Sequence, residues 1–118
     1  MSNAISWNLQ LKINEGSLDE FRALMSEMVD ATRQEEGALT YDWYVSEDGT
    51  QCHINERYAD SAATMAHLAN FGANFAERFV SMTQPTSFSV YGPASDEVRE
   101  ALAGFSPAYL QVFGGFRR

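Results

Sequence analysis

The chain has 118 residues, 45% of them hydrophobic and 20% charged, which fits one compact domain and leaves no room for a second. Eight basic residues against sixteen acidic ones give a net charge of −8, which excludes the basic footprint that nucleic acid calls for and adhesion to an anionic membrane. A single cysteine forbids an internal disulfide and points to a reducing, cytoplasmic setting, and no run approaches the ~20 apolar residues that cross a bilayer.

Ile5, Trp7, Leu9, Leu11 and Ile13 alternate with Ser6, Asn8, Gln10 and Lys12, the period of a strand. Glu15-Gly16 reads as a turn, and Ser17-Leu18-Asp19-Glu20 matches a capping box at the start of a helix. Leu18, Phe21, Leu24, Met25 and Met28 form its apolar stripe. Seven of the sixteen acids lie between Glu15 and Glu36 and read mostly as its solvated face, and Gly37 is a helix stop. Leu39, Tyr41, Trp43 and Val45 alternate as a second strand. Asp48-Gly49 is a two-residue hairpin signal, and a third strand follows from about Thr50 to Tyr58.

Asp60 can cap a short helix through Met65 and Leu68, with a break or bend at Asn70 and Gly72. Phe75, Phe79 and Met82 give a second amphipathic piece, and Phe88 and Val90 a fourth strand closed by Gly92-Pro93. Ser95 can cap a small helix through Val98 and Leu102, ended by Gly104, with Leu110 and Val112 in a last short strand. This order predicts a single α+β domain over 5–116, a ferredoxin-like split β-α-β antiparallel sheet with helices on one face. Residues 5–92 form the core and 93–116 a C-terminal extension. Trp7, Tyr41 and Trp43 are expected on the face that the helices leave open. A second copy packed sheet to sheet is the simplest cover for such a face.

No phosphate-binding loop, dinucleotide fingerprint, HExxH or cysteine pair is present, and two histidines with one cysteine make a poor metal site. The expectation is therefore no metal and no cofactor. Glu56 stands out because it shares strand parity with Cys52, Ile54 and Tyr58, and a carboxylate in apolar company is costly unless it works or is paired. A bulge that turns it outward, or an ion pair with Arg57 or another arginine, explains it equally well. His67 lies one helical turn before Phe71 and beside Leu68. It is suited to proton transfer near neutral pH, although a surface or satisfied core histidine is the commoner case. Asn8 could aim an amide at a ligand or face water beside Gln10 and Lys12. Phe71, Phe75 and Phe79 fit either a core or a pocket wall.

The stretch Gly37-Ala38-Leu39-Thr40-Tyr41-Asp42-Trp43-Tyr44, then Ile54-Asn55-Glu56-Arg57-Tyr58 and Met65-Ala66-His67-Leu68, resembles the antibiotic biosynthesis monooxygenase family. The resemblance covers roughly residues 5 to 92. It implies a homodimeric α+β barrel and oxidation of a small aromatic or quinol-type substrate by molecular oxygen without metal, flavin or haem. Glu56 and His67 would then handle protons, Asn8 and Tyr58 would orient the substrate, and Phe71 and Phe75 would line its pocket. A haem-degrading branch shares the fold, and its first-strand Asn matches Asn8. The segment from Gly72 to Met82, however, has no histidine to ligate iron. The alternatives are a non-catalytic ligand-binding or stress-related module and an isomerase or decarboxylase using the same pocket.

Overall fold

A computed structural model describes residues 2–118. The elements follow as β1 (Ile5–Ile13), α1 (Leu18–Arg33), β2 (Ala38–Val45), β3 (Gln51–Tyr58), α2 (Ser61–Asn74), α3 (Ala76–Met82), β4 (Thr83–Tyr91), α4 (Asp96–Leu102), a 3₁₀ turn (Ala103–Phe105) and β5 (Ala108–Leu110). The sheet order is β2-β3-β1-β4-β5, antiparallel except for the parallel pairing of β5 with β4. This is the expected α+β, ferredoxin-like core with a helix-and-strand extension. No described helix is long and apolar enough to cross a membrane.

The alternation in β1 becomes a division between two faces. Ile5, Trp7, Leu9, Leu11 and Ile13 are all buried, because β1 is the central strand and its apolar face carries the helical layer. Phe21, Leu24 and Met28 from α1, Phe79 and Met82 from α3, and Val98 and Leu102 from α4 complete this core. Each of the larger side chains contributes ~1.5–3 kcal/mol through burial.

Trp7, Tyr41 and Trp43 are not on the open face, which corrects the expectation from sequence. Their rings pack with Phe21, Tyr58, His67 and Phe79 beneath the helices. The reason is register. Trp7 and Tyr41 both sit opposite Glu56, so the strands share one apolar face. The helix-free face is polar instead, with the Asn8 amide donating to Asn55 Oδ1 at 2.7 Å and the Gln10 amide donating to Asn8 Oδ1 at 2.9 Å.

Of the three caps expected from sequence, one is absent and two form. Ser17 makes no side-chain cap, because its backbone is already helical (φ −97°, ψ −3°) and a capping hydroxyl needs an extended one. Asp60 and Ser95 are extended, and their side chains accept from the N–H groups of Ala63 and Val98 at 2.8 Å and 3.2 Å. The β2–β3 connection spans residues 46–50. Asp48 organises it by accepting from the Ser46 and Thr50 hydroxyls and the Thr50 N–H, with Gly49 at φ +74°. α2 runs through Gly72 and bends only at Phe75 (φ −130°), since a helical glycine costs only ~1 kcal/mol.

Candidate active site

Glu56 points from β3 into the helical side of the sheet and is 6% exposed. No bulge turns it outward, and among the described residues no arginine pairs with it. Its partners are a tyrosine and a histidine. The Tyr58 hydroxyl, two residues along on the same face, donates to Glu56 Oε1 at 2.5 Å. His67 Nε2 lies 3.3 Å from the same oxygen.

His67 is held from its other side by Glu35, whose Oε1 is 3.0 Å from Nδ1. The second Glu35 oxygen accepts from the Asn70 amide at 3.2 Å. Glu35 follows α1 in the turn that leads into β2, and that turn is pressed onto the start of α2. A Cβ on Gly37 would collide with Ala63 Cβ, so only glycine allows this approach. The Ala59 N–H donates to the Gly37 carbonyl at 2.9 Å and secures it. Tyr58, Tyr41 and Trp7 enclose the imidazole, with ring centroids 4.7, 5.5 and 6.4 Å away.

Burial lowers the basicity of His67, but contact with Glu56, the charge of Glu56, and then Glu35 outweigh it, so its pKa is raised above the usual 6.5. Tyr58 and Tyr41 are pushed far up, first by burial and then by the charge of Glu56, which leaves both phenols protonated at physiological pH. Burial pushes the Cys52 thiol up to about 12, so it offers no thiolate nucleophile. The two imidazole nitrogens face opposite carboxylates, so the three side chains do not converge on one point. Among the described residues no three His, Cys, Asp or Glu side chains form a metal-binding group.

Glu56 and His67 form one wall of a cavity of about 50 Å³ between sheet and helices. Tyr41 also lines it, Trp7, Leu9, Phe71, Phe88, Leu102 and Phe105 are among the apolar residues, and among the described residues no Lys or Arg faces it. The arrangement can take a proton from a bound group at Glu56 or His67, or return one, in apolar surroundings.

Of the residues singled out from sequence, the fold brings Glu56, His67, Phe71 and Phe79 to this cavity. Tyr58 stands behind Glu56 with its hydroxyl bonded to the carboxylate, outside the lining of the cavity. Phe75 lies outside the lining, with the Arg78 guanidinium 5.8 Å from its ring centroid. Asn8 is on the opposite face of the sheet, tied to Asn55 and Gln10, and does not reach the cavity. Glu35 was not anticipated. It is one of seven acids in a run that is otherwise read as solvated helix surface, and only the Gly37 contact reveals it.

Fold and site together define a small α+β domain in which β3 and α2 set a buried carboxylate–histidine pair on the wall of an apolar cavity. The chain belongs to the antibiotic biosynthesis monooxygenase family, whose sequence model matches residues 5–72. Rv0793 of Mycobacterium tuberculosis, named as a monooxygenase by inference, is 32% identical over 80 residues, which span 64% of this chain and 76% of that one. Among solved structures, MupZ from Pseudomonas fluorescens superposes with a TM-score of 0.88 at 28% identity, covering 100% of this chain and 91% of its own. SnoaB, a cofactor-independent oxygenase from Streptomyces nogalater, has a TM-score of 0.67 at 11% identity, covering 80% and 96%, a likeness of fold.

Proposed function

We propose that the protein is a cofactor-independent oxygenase of a small neutral phenol or quinol, with Glu56 and His67 moving the substrate's proton. The observation that carries this reading is the 3.3 Å contact between the Glu56 carboxylate and the His67 imidazole on the wall of an apolar cavity. Loss of a hydroxyl proton to this pair makes a quinol electron-rich enough to reduce oxygen directly. One oxygen atom ends on the ring and the other leaves as water, with all four electrons supplied by the quinol. Family membership favours oxygen as the oxidant, and the scheme uses no metal, flavin or haem.

A second reading is proton transfer without oxygen, as in isomerisation or decarboxylation. It is favoured by the carboxylates on both sides of His67, which suit a group that both takes and returns a proton. A panel of quinols and anthrones in an oxygen electrode decides between the two. Oxygen uptake matched to product is the expected result. Turnover without uptake selects the second reading, and binding with no turnover defeats both in favour of a binding module.

We also propose that two copies associate, although not through an aromatic sheet face. Val112, Phe113 and Phe116 are 87%, 106% and 83% exposed beyond β5, and Leu39, Tyr44 and Val45 are exposed on the edge strand β2. Surface of this kind is seldom left uncovered in a monomer. Light scattering is expected to give about 26 kDa, twice the 13.2 kDa of one chain. A mass of one chain at every concentration would remove the dimer.

A further inference from the structure

We infer that Phe105, supplied by the C-terminal extension, sets the size of the molecule that the cavity accepts. The inference rests on the reading of that cavity as the ligand site. The family match ends at residue 72, yet Leu102 and Phe105 of the cavity wall lie well beyond it. The extension therefore completes the site.

The two contributions differ in how firmly the fold holds them. Leu102 is 1% exposed on α4, and that helix is anchored. The Ser95 N–H donates to Ser61 Oγ at 3.1 Å, and the Arg99 guanidinium sits 4.1 Å from the Tyr109 ring centroid. Phe105 is only half-buried and rests edge-on against Phe88, with centroids 6.1 Å apart. It is the last residue of the 3₁₀ turn and is flanked by Gly104, around which there is open space, and Ser106, which holds a left-handed φ of +50°. That conformation is uncommon for a residue with a Cβ.

Size makes this difference matter. The cavity measures about 50 Å³, whereas an apolar cavity that takes up benzene is about 150 Å³. An aromatic ring enters only if a wall retreats. Trp7, Leu9, Met28, Ile54, Phe79 and Leu102 are locked in the core. Of the half-buried wall residues, Tyr41 and Phe88 are on strands and Leu68 and Phe71 on α2. Phe105 alone is carried by an irregular turn, so it is the side chain whose displacement disturbs least.

The test is titration of the full chain with phenol and 1-naphthol, followed through the His67 ring resonances, in the unaltered protein and in Phe105→Ala and Phe105→Trp. Phe105→Ala is expected to bind 1-naphthol on the order of tenfold tighter, the effect of burying a few additional CH groups, with a much smaller change for phenol. Phe105→Trp is expected to weaken both by about tenfold. Phe105→Leu, which keeps an apolar plug, should fall between the unaltered chain and Phe105→Ala and serves if the alanine variant fails to fold. An unchanged naphthol-to-phenol ratio across the variants, with His67 still reporting both ligands, overturns the inference and spares the cavity. Silence at His67 with both probes in every variant overturns the cavity as the ligand site, and the inference with it.

Discussion

Replacing His67 with Ala is expected to destabilise the fold by about 3–5 kcal/mol, the cost of removing one partner from a buried ion pair. Glu56 and Glu35 flank the imidazole, with side chains 7% and 17% exposed, and the variant leaves both without their counter-charge. The effect depends on pH in a defined direction. His67 is more basic when folded than its ordinary 6.5. Its stabilising contribution is therefore fully present below about pH 6.5 and is lost as the pH rises through the higher folded value. Urea melts from about pH 6 to pH 9 should show the gap between the unaltered chain and His67→Gln narrowing as the pH rises. A gap that is constant or widens would show that His67 is not held as a cation.

Glu56→Gln is the variant with the largest expected effect on chemistry. It keeps the shape of the side chain and an oxygen for the Tyr58 hydroxyl, but it removes the charge that accepts a proton. Turnover of any substrate identified should fall by ~10²–10⁴. The pKa of His67 should fall as well, because the Glu56 contributions are the largest of those that raise it. Glu35→Gln should move the same pKa downward by less, since its contributions rank below those of Glu56. A Glu56→Gln enzyme with unchanged kcat would make the buried pair structural, whatever its effect on melting.

Particular residues show how far the site was legible in advance. Glu56 and His67 stood out because a carboxylate on an apolar strand parity and a histidine beside core positions are local anomalies. Glu35 could not stand out among the acids of α1 and its turn, because its role depends on a close approach of two segments that only Gly37 permits. Asn8 looked equivalent to a ligand-facing amide. Alternation shows which residues share a face, but it does not show which face has a cavity.

By itself the sequence determined the element order, the apolar face of β1, the caps at Asp60 and Ser95 and the extension beyond residue 92. All of these depend on short-range periodicity and local backbone chemistry. Tertiary structure alone decided the rest. It set the register that places Trp7 and Tyr41 opposite Glu56, and so moved the aromatic residues from the open face into the core. It brought Glu35 and Glu56 to opposite nitrogens of His67 across 32 residues on one side, where neither spacing nor composition records the encounter. It also folded the extension back so that Leu102 and Phe105 complete the wall of a cavity otherwise built by residues between Trp7 and Phe88. Local propensity acts over a few residues, whereas a site assembled from β3, α2, a turn and a C-terminal extension exists only once hydrophobic burial has packed them together.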